Sequence, residues 1–321
     1  MWPPRRRSRA RSRVPNAPHW GWYIILYFFI GGLASGLYFI GTMASLAGDP
    51  RDRAITRFCF LVTFPLVVAC GFLLIVDLGK PLRFWHMLIQ SERVPLPMLK
   101  YWAPMSLGSW VLSVFAMFSL AAFVAALVDS GRLTNPQAVR AVAWARARPR
   151  ALQVAWMVLG AVIALFFGGY TGVLLVGTNV ALWQHAQLLG AVFLFSAAST
   201  AYALLIVVLR RGGETQSAPS IRKLEAADRW VIILELSAIA IMLIALGGVA
   251  RPLITGGFGV LFWLGVVGVG LLFPLVLPHL RAPALARRPL LGASCVLIGG
   301  LLLRFVVIMA PQWPRIALWK L

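Results

Sequence analysis

A carboxylate, an ammonium, a guanidinium and an imidazole lie within ten residues in DLGKPLRFWHM, as Asp77, Lys80, Arg83 and His86. Side chains of these types can take up, hold and release protons. They directly follow FLVTFPLVVACGFLLIV, a run apolar enough to cross a bilayer. A carboxylate at a membrane boundary is costly unless it is paired or hydrated. Lys80 and Arg83 are placed to pair with Asp77 if the helix continues, but Pro81 predicts that it ends near Lys80. The plain alternative is an ion-paired interfacial cap, with Trp85 and Trp102 as belt aromatics. Two more charges fall inside apolar runs: Glu235 in WVIILELSAIA and Arg304 in LLLRFVVIM. Intramembrane ionisable residues are functional candidates by default. Glu235 suits a proton route, or else a hydrogen-bonded packing contact. Tyr170, in YTGVLLVGTN, lies within another apolar run and needs a hydrogen-bond partner there, from a neighbour or from a ligand.

These residues must be positioned by elements that live in lipid. The chain has 321 residues, is 60% hydrophobic and has a mean hydropathy of +0.85. Only 12% of residues are charged, about half the usual ~25% of a soluble domain. That composition excludes an ordinary soluble fold and predicts an integral membrane protein. The apolar runs exceed a barrel strand in length, so the spans are expected to be helices, which satisfy their own backbone groups. The first run has no AxA-type cleavage site and reads as a retained helix. The net charge of +21 is read as an orientation signal and as contact with anionic headgroups or acidic partners, not with nucleic acid. Cys59, Cys70 and Cys295 all fall in apolar runs without a CxxC spacing, so neither a cysteine-ligated cluster nor zinc is expected in this protein. His19, His86, His185 and His279 sit at or near span ends, so no bound haem is expected. No P-loop and no HExxH or Ser/His arrangement is present.

The fold expected is an all-α integral membrane protein of eight transmembrane helices in two four-helix bundles. The spans are read at about 20–47, 58–76, 104–128, 153–177, 183–210, 230–250, 254–278 and 289–310, each of roughly 20 residues or more. Residues 1–19 form an arginine-rich tail, 20–310 the membrane domain and 311–321 a short C-terminal tail. RPLITGGFG is expected to be a very short turn between the sixth and seventh spans. GGLASG, Gly31 to Gly36, places small residues where helices can approach closely. A flat ligand could use the same thin wall. No helix shows an obvious midplane break.

Parity sorts the polar residues. On the face that carries the N-terminus, face A, lie Asn16, His19, Asp77, Lys80, Arg83, His86, Lys100, Tyr101, Thr178, Asn179, His185 and Arg251. Arg304 is nearer that face too. The opposite face B carries basic loops. Face B has sixteen Lys and Arg, and face A has seven outside the tail and six within it. The loops therefore predict face B inside and face A outside, although the tail argues the other way.

The order of GGLASG, DLGKPLRFWHML, PMLKYWAPMSLGSW, YTGVLLVGTN and LLLRFVV resembles the NrfD/PsrC family, the membrane subunits of polysulfide reductase-type oxidoreductases. The resemblance covers roughly residues 16–310. It implies a haem-free, eight-helix subunit in a prokaryotic cytoplasmic membrane that binds menaquinone or ubiquinone. It implies a four-cluster ferredoxin-like iron–sulfur partner and a catalytic subunit, often a molybdopterin enzyme. By the same resemblance the quinone-binding residues are Asn16, His19 and Tyr170, and Asp77 and Arg304 belong to the pocket and its proton supply. Arg304 would hold Asp77 ionised where the two approach. Glu235 is the candidate for proton transfer from face B. Two alternatives stand beside this reading. One is a proton-coupled transporter using Glu235 and Asp77. The other is a passive anchor for the iron–sulfur subunit.

Overall fold

The computed structural model describes residues 20–89, 103–211, 218–279 and 289–313. Asn16 and His19, with the rest of the arginine-rich tail, lie outside the described residues, as do Lys100, Tyr101 and Trp102. Eight helices are long and apolar enough to cross a membrane: Trp22–Ala47, Pro50–Asp77, Pro104–Asp129, Arg150–Val176, Leu189–Arg211, Pro219–Ile254, Gly256–Val276 and Leu290–Met309. They are called here the first to eighth spans. The described residues contain no strand. The protein is an all-α, multi-pass membrane protein.

Three boundaries differ from the sequence reading: the second span begins at Pro50, eight residues before the expected start at 58, and the fifth and sixth are shifted too. The fifth span begins at Leu189, because Ala181–His185 forms a separate short helix ahead of it. The sixth begins near Pro219, eleven residues before the expected start at 230. SIRKLEAADRW reads as a polar loop, yet Ser220 and Asp228 are buried. Each has a hydrogen-bond partner on a neighbouring element, so the polar residues belong to the helix. Most of RPLITGGFG, expected to be a turn, is helical, as the short helices Arg251–Ile254 and Gly256–Val260, and the chain reverses only at Thr255. Thr255 is extended, and Gly256 takes a φ of 66°, where a side chain would be strained.

The first four spans pack in a ring, each on the next and the fourth back on the first. Among the last four, the fifth packs on the sixth and the eighth on both the seventh and the fifth. The first and fourth spans join the two groups by packing on the fifth. The seventh span is wound as a π-helix over Leu261–Leu272. This is a wider coil than the sequence suggests, without a break in the chain. The outward faces carry Phe72, Met117, Phe166, Ile244 and Leu264, all exposed, as lipid-facing surfaces should be.

GGLASG is a packing motif. Gly31 lies against Phe167 and Cys70, on the side of the first group. Gly32 and Gly36 face the other way, against Ala197 and Ala201 of the fifth span. At Gly36 an added Cβ meets the Ala197 carbonyl itself. Backbone cannot yield there as a flexible side chain can. The thin wall at Gly32 is filled by the Arg304 guanidinium, with Nη2 at 3.1 Å from where a Cβ would stand. It is not open to a flat ligand.

Replacing Gly36 by valine is expected to destabilise the protein by about 1–3 kcal/mol, as overpacked interiors are. Thermal unfolding in detergent checks this. Gly71→Ala is the control, since nothing lies within 4 Å of an added Cβ there, and it should leave the midpoint unchanged.

Candidate functional site

The face A ends of the first four spans converge on one cleft. Helical periodicity brings its lining together. The first span contributes Ile24 and Tyr27, with Trp20 just before it, and the second Leu74 and Asp77, with Leu78 just after it. The third contributes Met105, Gly108 and Ser109, and the fourth Tyr170 and Leu174. Trp20, Ile24 and Tyr27 follow at four and three residues, and each other set spans four residues, so each helix turns one face inward. Met87 closes the cleft from the 3₁₀ segment Pro81–Met87. That segment is pinned to the third span. Ser106 Oγ donates to the Met87 carbonyl at 2.8 Å, and Trp110 Nε1 donates to the Leu88 carbonyl at 3.0 Å. The open space is about 80 Å³.

Tyr170 is 4% exposed and lies six residues before the end of its helix at Val176. Its hydroxyl donates to the carbonyl of Pro104, at the start of the third span. Its ring packs directly on Gly108, one turn further along, where any Cβ would overlap it. A buried tyrosine was expected to need a partner, and the partner is backbone. Asp77 ends the second helix, and Gly79 then turns the chain with a φ of 66°. Pro81 begins the 3₁₀ segment, so the regular helix ends where the proline predicted. Neither Lys80 nor Arg83 pairs with Asp77, because the turn at Gly79 breaks the helical spacing that pairing requires. His86 instead stacks on Trp85, with ring centroids 3.8 Å apart. His185 bonds locally, with Nδ1 2.8 Å from the Ala181 carbonyl.

Gln312 is a positioning residue that the sequence reading missed. It is buried. Its Oε1 accepts the Trp20 backbone N–H at 3.0 Å, and its Nε2 donates to the Trp20 carbonyl at 3.3 Å and the Ile308 carbonyl at 2.7 Å. Trp20 also stacks on Trp183 at 5.3 Å, and Trp183 Nε1 donates to the Val307 carbonyl at 2.8 Å. The residue immediately after His19 is thus clamped to the eighth span. A glutamine just past an apolar run was the available signal.

Arg304 and Glu235 form a second buried site. Arg304 Nη1 donates to Ser196 Oγ and to the Gly300 carbonyl, each at 2.7 Å, and Nη2 reaches the Phe193 carbonyl at 3.4 Å. Glu235 is also buried, 2% exposed, and makes no ion pair with Arg304 among the described residues. The two charges enter from opposite faces, and both are buried within the last four spans. The approach of Arg304 to Asp77 that the sequence reading allowed is not made. Asp77 lies in the cleft among the first four spans, whereas Arg304 lies across the first span, against its Gly32 side.

Further acids continue from Glu235 toward face B. Asp228, about two turns earlier on the sixth span, is buried and accepts from Ser199 Oγ at 2.9 Å. Asp52 is buried at the face B boundary and accepts from Ser220 Oγ at 2.6 Å. Lys223 Nζ lies 3.1 Å from Asp49 and 3.6 Å from Asp52. The Arg51 backbone N–H, followed by the Lys223 ammonium, holds Asp49 below the usual carboxylate range. Asp52 and Asp228 fall just outside the spans expected from the sequence, where acids look like loop residues.

A cleft where four spans converge, and separate buried charges beyond it, are the polar features of this multi-pass membrane protein. Comparison with known proteins identifies the kind. The profile of the family described as "Polysulphide reductase, NrfD" matches residues 12–314. The C chain of the polysulfide reductase of Wolinella succinogenes is 32% identical over 322 residues, covering 92% of this protein and 95% of that relative. Protein NrfD of Escherichia coli is 28% identical over 91% of this protein and 95% of its own length. The C subunit of the selenate reductase of Mesobacillus selenatarsenatis matches a shorter stretch, 25% identical over 34% of this protein and 23% of its own length. The chain belongs to the NrfD family.

Gln312→Leu keeps the volume but leaves the Trp20 N–H and carbonyl unpaired, a loss of about 1–3 kcal/mol. Hydrogen exchange at the Trp20 amide should accelerate about fivefold or more, while amides in the middle of the fourth span keep their protection.

Proposed function

We propose that this protein is the haem-free, quinone-binding membrane subunit of a multi-subunit oxidoreductase. The carrying observation is the cleft shared by Tyr170 and Asp77 at face A, beside Trp20, the next residue after His19. Membership of the NrfD family supports the reading. Relatives are named as parts of a polysulfide reductase and a selenate reductase. A menaquinone or ubiquinone head group bound there supplies two-electron, two-proton chemistry. Electrons pass to or from a four-cluster ferredoxin-like iron–sulfur subunit docked on face A, which joins this protein to a molybdopterin catalytic subunit. The membrane is the prokaryotic cytoplasmic membrane, and the basic loops of face B support face A outside.

The residues fit an amphipathic ring. Trp20, Ile24, Leu74 and Met105 offer apolar walls, and Tyr170 and Asp77 offer the polar groups. The cleft would admit a head group if its lining re-packed, and Tyr170 would then be free to turn its hydroxyl from the Pro104 carbonyl toward a ring oxygen. Met87 and Met105 can re-pack to widen it. His19 serves the other ring oxygen and exchanges protons near neutral pH, and Asn16 orients it. Asp77, exposed at the mouth, passes protons between the cleft and water at face A. Glu235 takes protons from face B by way of Asp52 and Asp228. From Ser220 to Glu235 this stretch covers about 22 Å at 1.5 Å per residue. Arg304 holds the charge balance at its inner end.

In the purified complex, Tyr170→Phe should lower quinone-linked turnover about tenfold, the worth of one hydrogen bond of ~1.5 kcal/mol. His19→Ala should lower it about a hundredfold or more, as for a lost proton-transfer group. Artificial-dye activity at the catalytic subunit should be retained in both. Unchanged quinone turnover in both variants removes this pocket, and normal assembly without quinone occupancy makes the protein a passive anchor. Glu235→Gln should slow turnover without changing quinone affinity. Equal turnover returns Glu235 to a packing role.

A further inference from the structure

The helix Pro136–Arg146, between the third and fourth spans on face B, takes no part in either buried site. None of its residues is buried. Ala138 and Val142 are half-covered and mark its inner side. Arg146 is consumed on the protein side, bonded to both carboxylate oxygens of Asp129 at 2.7 Å. The opposite side presents Arg140 and Trp144, one turn apart, both exposed, and Arg148 continues the line. The Arg148 guanidinium lies 3.9 Å over the Trp144 ring. Gln153 of the fourth span fixes this corner, donating to the Arg146 carbonyl at 2.9 Å and the Arg148 carbonyl at 2.8 Å. Arg140 and Arg148 have no acidic partner among the described residues.

The depth of this face says what it meets. The fourth span begins at Arg150, and its exposed apolar stripe runs through Leu152, Trp156 and Leu159. Trp156 is about 9 Å along the helix from Arg150 at 1.5 Å per residue. An exposed tryptophan at that depth marks the interfacial belt. Arg148 and Arg150 therefore stand at the height of the lipid headgroups, directly above acyl chains. Guanidinium groups bind phosphate through paired N–H donors. A zwitterionic headgroup brings its own cation, and an anionic one leaves its charge for the protein.

We propose that the outward face of this helix binds the phosphate of an anionic phospholipid, with Arg140 and Arg148 as the charged contacts and Trp144 as the interfacial anchor. The test is native mass spectrometry of the full-length protein in detergent, titrated with phosphatidylglycerol or with phosphatidylcholine. Wild type should retain phosphatidylglycerol preferentially. R140Q/R148Q should bind it about thirtyfold more weakly, from about fivefold per arginine at an anionic surface. R53Q/R57Q removes the same charge from exposed positions elsewhere on face B and should change it little. Both variants alter exposed residues, and equal unfolding midpoints verify their folds. Equal retention in wild type and R140Q/R148Q overturns the proposal, as does an equal loss in R53Q/R57Q. Competition by millimolar inorganic phosphate also overturns it, by making this a free-anion site. Loss of a soluble subunit from the R140Q/R148Q complex with lipid retention unchanged assigns the face to a protein partner instead.

Discussion

The approach of the first span to the fifth, backbone against backbone at Gly36 and Ala197, is the constraint on which the rest of the molecule depends. Lipid gives helices no hydrophobic reason to associate, so contact distance and internal hydrogen bonds must hold them. The first span packs on its neighbours in both groups, using small residues on one side and aromatics on another. Its Tyr27 side lines the cleft, and its Gly32 side receives Arg304. One helix therefore separates the two polar regions. A larger residue at either glycine disturbs both at once.

The two regions are built to different tolerances. A guanidinium within a membrane core is expensive unless its donors are satisfied. Arg304 finds a hydroxyl and two carbonyls, and its charge lies 5.3 Å from the Phe193 ring and 5.8 Å from Phe29. Only its Nε lacks a partner. Such an arrangement is rigid, since moving any member exposes a charge to lipid. The cleft is softer. Two methionines line it, and Tyr170 is held by one bond to a carbonyl at a helix start, where turning away costs little helix structure.

Apolar run length made the eight spans legible, because a bilayer sets a minimum that few other folds meet. The end of the second helix was legible from Pro81, and the tight turn near Gly256 from its glycines. The packing role of GGLASG was legible too. What spacing along the sequence could not show was which side of a helix each polar residue takes. Arg304 was grouped with Asp77 because both are near face A, yet they lie on opposite sides of the first span. Asp228 and Asp52 looked like loop residues, because buried acids at a span's edge have the same composition as solvated ones. Gln312 carries no periodic signal at all. Its role depends on a backbone segment at the far end of the sequence.

That separation has a consequence for biogenesis. Trp20 and Gln312 are 292 residues apart. At ribosomal rates of about 5–20 residues per second, the beginning of the protein waits roughly 15 to 60 seconds for its clamp to be made. A nascent polypeptide stalled before the last helix has already inserted the walls of the cleft, but lacks the Gln312 bonds to Trp20. The clamp on Trp20 therefore forms only after the eighth span and Gln312 have been made.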